Sequence, residues 1–151
     1  MDETRRVLVL GSVAMFASPF PALAQGAVRV PRIAFLSLDT AGNPSGLDSF
    51  REGLLAMGYV ENKTIIIEYG DARGDLARFP ALAAEAVARQ VDVIVAPNIA
   101  AAQAARRATS RIPIVFAGLS DPVADGLVAS LARPGGNITG LSHLSPELVG
   151  K

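Results

Sequence analysis

Apolar positions along this chain fall into short, nearly continuous runs separated by helix-period stretches. Arg32-Ile33-Ala34-Phe35-Leu36-Ser37-Leu38 is the first run, and its lack of alternation predicts a strand buried on both faces. Leu47, Phe50, Leu54 and Met57 then recur every three to four residues, which predicts a helix, with Gly58 placed to cap its C-terminus. Thr64 to Tyr69 is β-branched and predicts a second strand, followed by a loop from Gly70 to Gly74. Asp75 is placed to cap a helix with Phe79, Leu82, Ala83, Ala86 and Val87 on its apolar side, and Pro80 fits only in its first turn.

Val91 to Ala96 reads as the third strand, and Asn98 or Ile99 opens an Ala-rich helix to about Ala108. Ile114 to Ala117 reads as a fourth strand ending at Gly118. A short helix is expected over Gly126 to Leu131, a sharp turn at Pro134-Gly135-Gly136-Asn137, and a fifth strand from Ile138 to Leu141. Strands alternating with helices at crossover spacing predict an α/β fold. The expected architecture is a doubly wound parallel sheet of strand order 2-1-3-4-5.

The first 24 residues are set apart from the fold. Arg5 and Arg6 precede an apolar run from Val7 to Ala17, prolines follow, and Ala22-Leu23-Ala24 has the small-residue pattern of a cleavage site. A signal peptide over 1–24, cut after Ala24, is expected, which places the protein in the periplasm. Residues 25–31 are expected to form an exposed lead-in, 32–141 the α/β lobe, and 142–151 the start of a further segment.

Composition narrows the chemistry. Lysine plus arginine equals aspartate plus glutamate, at 14 each, so charge argues for neither nucleic acid nor an acidic membrane surface. With no cysteine and a single histidine, His143, thiol catalysis, disulfides and thiolate metal sites are excluded. The strand ends carry no P-loop, no G-x-G-x-x-G and no G-x-S-x-G. No catalytic residue, metal or cofactor is expected.

In a parallel sheet, the loops leaving the carboxyl ends of strands one, three and four converge on one edge, where open α/β sheets hold ligands. They offer Ser37, Asp39 and Thr40; Asn98, Ile99 and Ala100; and Ser120 and Asp121. The N–H groups opening the third helix suit a ligand carboxylate, and Asp39 or Asp121 suits an ammonium group. Each residue also has a purely structural role open to it. Asn98 can cap its helix, Asp121-Pro122 can shape a turn, and Ser37 can end a strand. Asp71 reads as a solvated loop residue, and His143 as a surface residue.

Several segments taken together carry a family resemblance: G-Y-V-E-N-K-T-I-I-I-E-Y (Gly58 to Tyr69), F-P-A-L-A-A-E-A-V (Phe79 to Val87), V-D-V-I-V-A (Val91 to Ala96), A-T-S-R-I-P-I-V-F (Ala108 to Phe116) and D-P-V-A-D-G-L-V-A-S-L-A-R-P-G-G-N-I-T-G-L (Asp121 to Leu141). They resemble substrate-binding proteins of ABC importers with the type I periplasmic binding fold, some of which are associated with tryptophan or tyrosine. The resemblance implies two α/β lobes with a small solute, such as an amino acid, held between them. It also implies hinge closure and delivery to an inner-membrane ABC permease. On that pattern the present chain is the first lobe, and Ser145 to Lys151 leads toward a second. Two other readings use the same sheet: a small flavodoxin-like α/β enzyme, and a domain that senses a ligand and reports it to a partner.

Overall fold

A computed structural model describes residues 29–42 and 44–143. The expected leader over 1–24 and most of the segment over 142–151 lie outside the described residues. Five strands are seen: β1 (Arg32–Ser37), β2 (Ile66–Asp71), β3 (Val93–Ala96), β4 (Ile114–Leu119) and β5 (Ile138–Ser142). They are linked by helices α1 (Pro44–Ala56), α2 (Phe79–Ala88) and α3 (Ile99–Ala108). Every described strand pair is parallel, and the order is β2-β1-β3-β4-β5, the expected doubly wound arrangement.

The two faces of the sheet carry separate cores. On one face α1 lays Leu47 and Leu54 over Phe35, Ile65, Ile67 and Val95, and the rings of Phe35 and Phe50 meet at 5.0 Å. On the other, α2 and α3 bury Phe79, Ala83 and Ala86 together with Ala101, Ala102, Ala104 and Ala105 against Ala34, Leu36, Ile94, Ala96, Ile114 and Phe116. Small alanines let these two helices approach the sheet and each other closely.

Helix ends follow local chemistry. The C-terminus of α1 closes with Gly58 N–H on Leu55 O and Tyr59 N–H on Leu54 O, both at 2.9 Å, a Schellman motif with Gly58 just past the cap. Asp75 Oδ1 accepts from Ala77 N–H at 2.9 Å and so caps a short 3-10 turn, Leu76–Arg78, which leads into α2. Pro80 sits in the first turn of α2, as anticipated. Arg106 and Arg107 lie in the last turn of α3, where positive charge complements the helix dipole.

Four local expectations are corrected. Met57 is not on the buried face of α1; it lies past the helix end and is 69% exposed, because the capping turn points it outward. The second strand begins two residues later than expected and includes Gly70 and Asp71, which pair with Leu36 and Ser37. Gly118 does not end the fourth strand, since a bulge between Ala117 and Leu119 lets pairing with β5 continue to Leu119. No helix forms over Gly126 to Leu131. A turn forms earlier instead, over 121–127, with Asp125 N–H on Asp121 O at 3.0 Å and Leu127 N–H on Pro122 O at 2.9 Å.

Candidate functional site

Parallel pairing fixes where the site residues emerge. Ser37 ends β1 opposite Asp71, the last residue of β2. Ala96, the end of β3, pairs with Phe116 of β4, and Leu119 pairs with Ser142 of β5. The loops carrying Ser37 to Thr40, Asn98 to Ala100 and Ser120 to Asp121 therefore leave the same edge of the sheet. Ser37, Asp39, Thr40, Asn98, Ile99 and Ala100 are half-buried, and Ser120 and Asp121 are exposed.

Three polar side chains at this edge hold their loops in shape with one oxygen each. Asp39 Oδ1 accepts from Ala41 N–H at 3.0 Å and Gly42 N–H at 2.9 Å. Asn98 Oδ1 accepts from Ala101 N–H at 2.9 Å and caps α3. Asp121 Oδ1 accepts from Val123 N–H at 3.1 Å and Ala124 N–H at 2.9 Å. These are the turn and cap roles that Asp and Asn commonly take. Among the described residues, no hydrogen bond engages Asp39 Oδ2, Asp121 Oδ2 or Asn98 Nδ2. The N–H groups of Ile99 and Ala100 likewise find no acceptor among the described residues. Among the described residues, the edge thus offers a helix N-terminus with two unengaged N–H groups and one unengaged oxygen on Asp121, while Asp39 Oδ2 is folded back over Gly42.

Two further residues reach this edge: Asp71, read from the sequence as a solvated loop residue, and His143, read as a surface residue and exposed as expected. Asp71 is a strand end rather than a solvated loop residue. Its carboxyl is held below the usual carboxylate range, chiefly by Arg73 N–H, which donates to Oδ1 at 2.8 Å, with the backbone and hydroxyl of Thr40 adding to the shift. The Thr40 hydroxyl oxygen is buried and makes no full hydrogen bond among the described residues. His143 follows β5 directly, with its N–H on Leu119 O at 2.9 Å. Only the pairing of β5 beyond Leu141 brings it to this edge, which no local motif announces.

Apolar and mixed hollows elsewhere on the surface are built differently. One of about 280 Å³ lies between β2 and α2 over Leu36, Gly70, Leu82 and Arg89. Another of about 250 Å³ lies against α1 and is lined by Arg51, Leu54, Tyr59, Glu61 and Ile67. Neither reaches the strand-end loops.

The fold is that of the first lobe of a solute-binding protein. Residues 34–148 match the family described as ABC transporter substrate binding protein, and the chain belongs to that family. A tyrosine-binding protein of Clostridioides difficile (strain R20291) is 37% identical over 100 residues, which is 64% of this chain and 29% of that protein. The ligand-free, open structure of a substrate-binding protein with adhesive properties from Clostridium difficile is 31% identical with a TM-score of 0.72, over 80% of this chain and 43% of that one. A conserved domain protein from Vibrio cholerae is 38% identical with a TM-score of 0.68 over the same shares. An ABC domain in complex with L-Trp from Streptococcus pneumoniae is 28% identical with a TM-score of 0.65, over 76% of this chain and 39% of that one. The chain therefore spans less than half the length of the solved relatives it matches.

Proposed function

We propose that this chain supplies the first wall of the ligand cleft of an exported solute-binding protein of an ABC importer. Its ligand is an aromatic amino acid. The observation that carries this reading is the pairing of free donors and free acceptors at one edge. The N–H groups of Ile99 and Ala100 at the start of α3 find no acceptor among the described residues, and the loops bearing Asp39 and Asp121 leave the same edge of the sheet. A zwitterion needs both: helix N–H groups for its carboxylate, and a carboxylate for its ammonium. Ser37, Thr40 and Ser120 add hydroxyls that donate or accept as the ligand requires.

Relatives that bind tyrosine and L-Trp support the ligand class, and family membership supports the transport role. In this reading a second lobe closes the cleft by hinge motion, and the closed form delivers its cargo to an inner-membrane permease. The leader over 1–24, cleaved after Ala24, places the protein in the periplasm. The protein itself performs no covalent chemistry. Calorimetry of the full-length protein with a panel of amino acids tests this directly, with saturable binding of an aromatic member expected. Hydrolase turnover by the purified protein, or no binding across the panel, would overturn it.

A further inference from the structure

The polar groups at the strand-end edge suit the two charged ends of an amino acid, and for its side chain the same loops offer the accessible aliphatic groups of Leu38, Ile99 and Val123 but few rings. Ser37, Asp39, Thr40, Asn98, Ser120 and Asp121 are all small and hydrophilic. An aromatic side chain gains most from a flat ring or an apolar wall. Among the described residues, the rings of Phe35, Phe50, Phe79 and Phe116 are committed to the two cores. Tyr69 is tied at the outer edge of β2, where its hydroxyl donates to Glu61 Oε1 at 2.7 Å and accepts from Arg51 Nε at 2.9 Å. One ring remains at the loop edge, that of His143.

Its placement is specific. The Leu119–Ser142 pairing carries the next residues, Ser120 and His143, out side by side. The backbone of His143 is pinned by its N–H on Leu119 O. Its ring lies over Gly118, where a Cβ would stand 3.1 Å from Nε2 and 3.7 Å from Cδ2, so a side chain there would crowd the imidazole. Gly118 has φ +72°, at the bulge that brings β4 and β5 back into register. A strand bulge and a missing side chain thus make room for one imidazole beside Ser120, and His143 remains exposed.

Resting on the amino-acid-binding reading above, we propose that His143 is a specificity-determining contact, the flat surface on which the aromatic side chain of the ligand stacks. The test uses the untagged full-length protein with L-tyrosine, L-tryptophan and L-leucine as probes. Calorimetry of His143→Ala is expected to show about a tenfold loss of affinity for the two aromatic amino acids, the upper range for an aromatic pair, and less than about twofold change for L-leucine. His143→Phe is expected to restore the aromatic affinity. The imidazole Cε1–H resonance that disappears in His143→Ala is assigned to His143, and it should move on titration of the wild type with L-tyrosine. Unchanged aromatic affinity in His143→Ala, equal losses for all three ligands, or an unmoved resonance in a protein that does bind would overturn this inference alone. A wild-type protein that binds no amino acid would overturn the underlying reading, and this inference with it.

Discussion

Replacing Asn98 separates the two tasks assigned to the start of α3. Asn98 Oδ1 caps the helix through Ala101 N–H at 2.9 Å, in a half-buried setting. The first turn it holds carries Ala101 and Ala102, both fully buried against the sheet, so fraying there loosens the core as well as the helix. Asn98→Ala should therefore cost about 1 kcal/mol, and up to about 2 kcal/mol given the burial. For a domain of this size that lowers Tm by roughly 3–6 °C per kcal/mol. Asn98→Asp keeps an oxygen at the cap and places a negative charge at the positive end of the dipole, so stability should hold or rise by a few tenths of a kcal/mol. Binding should respond the other way. A carboxylate at position 98 would face the ligand carboxylate at the Ile99 and Ala100 N–H groups. Like charges about 4 Å apart repel by about 4 kcal/mol at an effective dielectric of about 20, so a loss of at least about tenfold is expected after relaxation. Urea unfolding followed by circular dichroism, paired with calorimetry of the full-length protein, reads both. Asn98→Ala within about 0.3 kcal/mol of wild type would refute the cap's role. Undiminished amino-acid affinity in Asn98→Asp would refute the carboxylate seat.

Other substitutions probe the scaffold. Gly140→Ala should be severely destabilising, by about 3 kcal/mol or more, because the new methyl would meet the Phe116 carbonyl oxygen and the Phe116 ring; urea unfolding reads this. Gly70→Ala should cost less, about 1 kcal/mol, since its clash is with the flexible end of Leu36 at 2.7 Å. Asn137→Ala should cost about 1–2 kcal/mol, because Nδ2 donates to Ile112 O at 2.7 Å and Thr109 O at 3.2 Å and ties the turn before β5 to the connector before β4. Tyr69 is pushed up to about 12 by burial and by its hydrogen bond to Glu61. Phenolate absorbance should therefore show one tyrosine ionising near that pH, and stability should fall as pH rises from about 10 to 12, a slope that Tyr69→Phe removes. Asp71 titrates in the opposite sense: its depressed carboxyl stabilises the fold above the ordinary carboxylate range and loses that contribution as pH falls through it, which Asp71→Asn abolishes in acid unfolding curves.

The architecture was legible because each strand is a compact apolar run and the three long helices keep their period, so the alternation left few topologies open. The cap at Asn98 was equally legible, since its signal is local, whereas Asp75 caps the 3-10 turn ahead of α2 and not the expected helix itself, whose N-terminus at Arg78 has no side-chain cap. What escaped was set by neighbours in space. Gly70 stays in β2 because Leu36 covers it, and Gly118 stays in β4 because β5 pairs beyond it; glycine's local tendency to end a strand was outweighed in both places. The expected helix over Gly126 to Leu131 gave way to a turn started by Asp121, whose side chain satisfies two N–H groups at once. The site loops were named from topology alone. The part of His143 was hidden because it depends on the register of the last strand.

The central claim is that the strand-end edge of this sheet binds an amino acid as one wall of a closing cleft. Calorimetric titration of the full-length protein with L-tyrosine and L-tryptophan, run beside Asn98→Asp, tests it most directly. Saturable one-to-one binding of at least one of them by the wild type is expected, with a loss of at least about tenfold in the variant. Absence of binding to either, or equal affinity in both proteins, would contradict it.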